Sequence, residues 1–276
     1  MLLIIGILIA GVTQSSRLVA QIRLSSARQQ TQRSPVSSIT NLVLWMETTS
    51  EKSFDDAATE DGTAISSGSN YNWYDINTQN PRRYTANSAT GPTYKINCIN
   101  NLPCLSFNGS TQSLTFPAMG SSSQISMFVV YNNVGPTLAT QYIISSINAF
   151  VPNIGFSTST TGGLTYYYNL GSGYGNVGAL KTNTPSILEV IDRGTSSTLY
   201  YSVPGAAMGQ VASGSTSGAR NFTGGATVGA FSDGSTTTGY FNGYIAEIII
   251  FDRALKQEEK SAIDAYLTKK WGIRTS

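Results

Sequence analysis

Tyr244-Ile245-Ala246-Glu247-Ile248-Ile249-Ile250-Phe251 is the most strongly β-biased run in this chain of 276 residues. Its β-branched and aromatic side chains favour an extended backbone, and so apolar a run suits a strand covered on both faces. Working outward, Leu42-Val43-Leu44-Trp45-Met46 reads as a first strand, and Ile125-Ser126-Met127-Phe128-Val129-Val130-Tyr131 as a second buried one. Ile187-Leu188-Glu189-Val190-Ile191 and Leu199-Tyr200-Tyr201-Ser202-Val203 flank Arg193-Gly194 and read as a hairpin. Short strands separated by turn signals are the pattern of a sandwich or jelly roll. The strand-helix alternation of a parallel α/β fold is missing. The expectation is therefore an all-β, two-sheet antiparallel sandwich.

One helix is expected to close it. Within Gln257 to Trp271 the apolar residues Ile263, Tyr266, Leu267 and Trp271 recur at three- and four-residue spacing. Glu258 and Glu259 in the first turn and Lys269 and Lys270 in the last suit the helix dipole, and Gly272 supplies the stop. The stripe is read as packing against a sheet.

Composition narrows the chemistry. Charged residues are 12% of the chain, against about 25% in ordinary globular domains. The net charge of +2 is spread without a basic block, which disfavours nucleic acid as a partner. There is no histidine. A Ser-His-Asp or Cys-His nucleophile system is excluded, and a zinc site is disfavoured. Cys98 and Cys104 flank Ile-Asn-Asn-Leu-Pro. Asn100 and Asn101 tolerate left-handed backbone, so a tight loop can bring the two sulfurs together, and a disulfide is favoured over two free thiols.

Met1 to Val12 is uninterrupted apolar sequence. As a helix it rises about 18 Å, short of a hydrocarbon core of roughly 30 Å. Three readings compete: a signal peptide, which wants a basic residue before Arg17; a transmembrane span, which Thr13 to Ser16 cut short; and a filament-type helix. Ile4-Ile5-Gly6-Ile7-Leu8-Ile9-Ala10-Gly11-Val12 resembles the hydrophobic N-terminal core of type IV pilins and pseudopilins. Leu18, Val19, Ile22 and Leu24 would continue it as an amphipathic stalk. The family's Gly-Phe junction and following Glu are absent. The division expected is a helix over 1–33 that anchors to membrane or self-associates through residues 1–30, a linker over 34–40 broken at Pro35, and a globular domain over 41–276.

Within that domain a second resemblance carries more motifs. Leu42-Val43-Leu44-Trp45, Trp73-Tyr74-Asp75, Gly91-Pro92-Thr93-Tyr94, Leu105-Ser106-Phe107-Asn108-Gly109, Tyr240-Phe241-Asn242-Gly243 and Lys270-Trp271-Gly272 stand in order along the chain. Together they resemble bacterial concanavalin A-like lectin/glucanase domains of the laminin-G type. The resemblance implies a jelly roll displayed at the cell surface or outside the cell, sometimes binding glycan. Where that family places Ser or Asp before its last helix, this chain has Lys256, so either Asp252 caps the helix or its start is weak.

The glucanase branch draws its paired carboxyls from one strand as Glu-x-Asp-x-x-Glu. Here Thr49 stands between Glu47 and Glu51, and Glu247 sits alone in an apolar strand. Hydrolysis is not expected. For a bound cation the candidate is calcium, with Asp233 and Asp252 as loop ligands, weighed against ordinary solvated acids. For glycan contact the candidates are Trp73, Tyr166, Tyr168 and Tyr174, whose rings could stack on a sugar or equally serve the core. The function expected is recognition of glycan or a surface protein; the alternative is a structural, pilin-like subunit of an extracellular filament.

Overall fold

The computed structural model describes the chain apart from residues 1, 81–84, 87, 135–139, 148–152, 159–163, 169–173, 177–181, 216–218 and 274–276. The side chains of residues 2–14, 153–158, 164–168, 174–176, 207, 211 and 212 also lie outside that description. The chain is mostly β, with antiparallel sheets and a helix at each end: α1 over Leu2–Gln32 and α2 over Gln257–Trp271.

In chain order the sheet strands are β1 (Leu42–Glu47), β2 (Thr93–Lys95), β3 (Cys104–Asn108), β4 (Leu114–Phe116), β5 (Ile125–Asn133), β6 (Gln141–Ser146) and β7 (Asn153–Thr158). They continue as β8 (Leu164–Tyr168), β9 (Tyr174–Asn176), β10 (Ser186–Asp192), β11 (Ser196–Val203), β12 (Ala206–Ser215), β13 (Ala226–Val228) and β14 (Asn242–Phe251). An eight-stranded sheet runs β12-β11-β10-β5-β14-β3-β2, with β1 also paired to β14. A six-stranded sheet runs β9-β8-β7-β6-β13-β4.

The run read first in the sequence is the centre of the larger sheet. β14 pairs with β5 along one edge and shares its other edge between β3 and β1. Alternation along these strands splits the apolar residues between two cores. Leu44, Met46, Met127, Val129, Leu188, Ile248 and Ile250 meet Phe116, Ile143, Ile144, Ala226 and Val228 of the smaller sheet, which makes the two sheets one face-packed sandwich. Trp45, Phe128, Val130, Ile187, Ile249 and Phe251 face outward from the larger sheet and are covered by α2 and by part of α1.

Residues 34–40 join that outer core. Pro35 ends the helical path, but Val36 is fully buried and Ile39 nearly so, and Gln79 donates its side-chain amide to the Ser37 and Ile39 carbonyls, both at 2.8 Å. The stretch is packed because its apolar side chains have a sheet face to cover. The last turns of α1 are fixed as well: Ala27 and Thr31 are buried, and Arg28 donates to the Thr49 carbonyl (2.9 Å) and to Glu51 Oε1 (2.6 Å). Among the described residues no helix is long and apolar enough to cross a membrane.

Cys98 and Cys104 are disulfide-bonded with Cα atoms 5.8 Å apart. Asn100 and Asn101 inside the loop both have φ of 55°. Asn100 donates its side-chain amide to the Lys270 carbonyl at 3.0 Å, so the bridged loop caps the C-terminus of α2.

Candidate functional site

The buried face of α2 carries two lysines. Lys260 and Lys270 stand ten residues apart, about 15 Å along the helix, on the stripe that also holds Ile263, Tyr266 and Leu267. Each lysine meets carboxylates on the outer face of the larger sheet.

Glu47 of β1 and Glu247 of β14 are direct cross-strand partners. A bulge between Ile245 and Glu247 turns Glu247 to the outer face beside Ala246. Two like charges so placed repel each other, and Lys270 resolves the conflict: its Nζ lies 2.7 Å from Glu47 Oε2 and 3.1 Å from Glu247 Oε2, with all three side chains wholly buried. Glu247 also accepts from Trp45 Nε1 (2.7 Å), Trp271 Nε1 (2.7 Å) and Tyr266 OH (2.8 Å). Glu47 accepts from the Thr49 amide (2.8 Å), the Thr49 hydroxyl (2.6 Å) and the Ser50 amide. Burial works to raise the Glu47 carboxyl, but the charge and hydrogen bond of Lys270 and the Thr49 donors outweigh it and hold the group below its usual range. This is a pair of carboxylates on adjacent strands, yet it is walled off from solvent and its oxygens are taken. Its chemistry is that of a structural lock.

The second lysine has a different setting. Lys260 Nζ lies 2.7 Å from both Glu189 Oε2 and Asp264 Oδ2 and 4.1 Å from the centre of the Tyr200 ring. Burial and the neighbouring Asp264 push Glu189 well above the ordinary carboxyl range. A third ion pair lies at a rim of the sandwich, where Arg220 Nε donates to Asp192 Oδ2 at 2.8 Å, both side chains buried. Glu47, Glu247, Glu189 and Asp192 all have side chains shut off from solvent.

The candidates named from sequence fall in separate places. Trp73 is a correction: it is wholly buried, lies parallel to Phe54 at 6.3 Å between ring centres, and donates Nε1 to the Glu47 carbonyl at 2.9 Å. A ring enclosed on both faces cannot stack on a sugar. The side chains of Tyr166, Tyr168 and Tyr174 lie outside the described residues. Their backbone register is defined: Tyr142, Gly155, Tyr167 and Tyr174 are successive partners across β6, β7, β8 and β9, whereas Tyr168 is partnered with Ile154 and through it with Ile144. Of these described partners, Ile144 is a core residue and Tyr142 is half-exposed.

Tyr142 was not among the sequence candidates. It is half-exposed and packs against half-exposed Phe231 with ring centres 5.2 Å apart. Gly239 lies under the ring: a Cβ there would come within 2.7 Å of Tyr142 Cδ2. Phe231 sits on a two-stranded ribbon, Phe231–Ser232 against Thr237–Thr238, and Tyr142 on β6. Sequence carries no local signal for the pair, since the two rings come from strands 89 residues apart.

Asp233 closes that ribbon's turn, accepting from the Ser235 amide (2.8 Å), the Thr236 amide (2.6 Å) and the Thr236 hydroxyl (2.9 Å), bonds that hold its carboxyl below the usual range. Asp252 instead follows β14, its amide donating to the Asn41 carbonyl at 3.1 Å. The two are not brought into one cluster, and among the described residues no group of three or more ligating side chains is assembled. Nor does Asp252 cap α2. Glu259 reaches back to the Lys256 amide at 2.9 Å and is held by Arg253 through two bonds of 2.7 Å.

No protein-family model matches this sequence, and no curated protein sequence matches it either. Solved structures do resemble its fold. Domain 4 of an extracellular arabinanase (AbnA) of Geobacillus stearothermophilus, solved in complex with arabinotriose, aligns over 81% of this chain and 97% of its own length, at 16% identity and a TM-score of 0.52. A GH54 α-L-arabinofuranosidase variant aligns over 83% of this chain and 63% of its own, at 9% identity and a TM-score of 0.57. Trypanosoma rangeli sialidase aligns over 93% of this chain and 39% of its own, at 11% identity and a TM-score of 0.52. This chain thus spans nearly all of the first and less than two thirds of the other two. None of these three is a pilin, so they lend the pilin resemblance no support. At such identities the likeness is one of fold, a β-sandwich shared with glycan-active proteins.

Proposed function

We propose that this chain is a non-catalytic glycan-recognition module, a lectin-like jelly roll displayed outside the cell by its N-terminal helix. The observation that carries the reading is the alignment with nearly all of a domain that holds arabinotriose. The aromatic pair Tyr142–Phe231 supports it chemically: half-exposed rings offer apolar faces to the C–H side of a sugar. A non-catalytic role is supported by the fate of the acids, since Glu47 and Glu247 are enclosed and both bound to Lys270. The test is a glycan array followed by calorimetry with neutral arabino-oligosaccharides on the full chain. Binding that Tyr142→Ala weakens at least tenfold, without release of product, supports the reading. A blank array, or sugar cleavage, overturns it.

A second reading has one observation in its favour. Leu18 and Ile22, one helical turn apart on α1, are 57% and 59% exposed and extend the apolar run that precedes them. Such a stripe suits another copy of the same helix, as in a filament subunit. Sedimentation decides between the two: Leu18→Ser with Ile22→Ser would dissolve a self-assembly but leave a monomeric lectin unchanged.

A further inference from the structure

A cleft of about 430 Å³ lies between the two helices. Ser26, Gln29, Gln30 and Arg33 line it from α1 and the residue after it, and Ala262, Ala265 and Lys269 line it from α2. Each set repeats at three- and four-residue spacing, so one face of each helix lines the cleft.

The chemistry of this cleft is uneven. Two exposed cations, Arg33 and Lys269, stand at it with no acidic residue in the lining. Two buried polar atoms have no hydrogen-bond partner: Ser34 Oγ, on a residue only 8% exposed, and Gln30 Oε1. Both residues line the cleft. Buried polar atoms are ordinarily paired, and an unpaired one is costly. Pro35, Ala262 and Ala265 add small apolar patches.

We propose that this cleft binds an acidic sugar, its carboxylate held by Arg33 and Lys269 and its hydroxyls by Gln30 and Ser34. A bare inorganic anion meets only half of the requirement. It would satisfy the cations, but it has no donor for an amide oxygen. A hydroxyl both donates and accepts, so it serves Ser34 and either setting of the Gln30 amide. The volume falls in the range of small-ligand pockets and admits a mono- or disaccharide. The small alanine and proline surfaces let a ring lie against them. The site is separate from the Tyr142–Phe231 surface and stands or falls independently of it.

Digalacturonate is the probe, with galactobiose and acetate as controls, titrated into the full chain by calorimetry at low and high salt. Binding of digalacturonate is expected to fall at least tenfold in Arg33→Ala/Lys269→Ala and to weaken as salt rises. Ser34→Ala is expected to weaken digalacturonate several-fold while leaving acetate unchanged. Both cations are exposed, so the double variant keeps the fold, and Tyr142→Ala should leave this binding intact. Equal binding of acetate and digalacturonate, or binding indifferent to the Arg33 and Lys269 changes, overturns the proposal. So does no binding at all.

Discussion

Lys270 Nζ and Glu47 Oε2 stand 2.7 Å apart with neither side chain exposed, joining residues separated by 223 positions in sequence. Because Glu247 shares the same ammonium, one lysine bridges two carboxylates that strand pairing has forced together. Removing the lysine leaves both acids buried without a counter-charge. Lys270→Met is therefore expected to destabilise the protein by about 3–5 kcal/mol, the usual cost of breaking a buried pair from one side. Chemical denaturation at neutral pH measures it. A loss under about 1 kcal/mol would mean that the acids are protonated or hydrated and that the lock is not one.

The contrast between the two lysines shows what sequence could and could not convey. The strand Asn242–Phe251, the hairpin of β10 and β11 turning at Gly194 (φ 92°) and the helix Gln257–Trp271 were all legible, because each depends on local pattern. Lys270 was read only as a charge suited to the last turn of a helix, yet it is 1% exposed. Its burial follows from contacts with β1 and β14 that no local window contains. Glu247 did carry a signal: a lone acid in an apolar strand needs a buried partner. The enclosure of Trp73 was illegible for the same reason, since Phe54 and the Glu47 carbonyl reach it across loops. The α1–α2 cleft had no sequence signature, as serine and glutamine on a helix are ordinary surface residues until a second helix covers them.

Glu189 makes stability fall as pH rises. Its carboxyl is held well above the 4.5 of an unperturbed glutamate, so the folded state binds a proton that the unfolded chain has released. With fewer protons on the unfolded side, the slope of unfolding free energy with pH is negative from the ordinary carboxyl range up to the folded value. Glu189→Gln removes the titration while keeping the shape. Its expected signature is a flatter pH profile above 4.5, with stability at neutral pH equal to or above that of the parent. Thermal melts from acid to neutral pH report it, and a variant whose profile runs parallel to the parent's would contradict the assignment.

Glu259 acts in the opposite sense. Its two bonds to Arg253, with the Lys256 amide and the charges nearby, bring its carboxyl down to about 2. A depressed acid contributes stability that is present above its unfolded value and lost as pH falls through the folded one. The window here lies between about 4.5 and about 2. Glu259→Gln should remove that acid-limb loss and fray the first turn of α2, while costing no more than about 1 kcal/mol at neutral pH because the pair is partly solvated. Helix circular dichroism against pH separates the two variants: Glu189→Gln alters the limb above 4.5, Glu259→Gln the limb below it.

Gly272 ends α2 with φ of 66°, and a Cβ there would stand 2.8 Å from Asn100 Cγ. Gly272→Ala thus combines a left-handed backbone cost of about 1–2 kcal/mol with a steric push on the loop that caps the helix. The two parts can be separated. Asn100 itself has φ of 55°, so Asn100→Gly is tolerated by the backbone and removes the colliding side chain, along with its bond to the Lys270 carbonyl. In the Gly272→Ala/Asn100→Gly protein the clash vanishes but the backbone strain persists. The double variant should therefore be less destabilised than the sum of the singles, by a margin that denaturation curves can read. Simple additivity would show that the disulfide loop does not press on the end of α2. Its role would then be confined to the turn between Cys98 and Cys104.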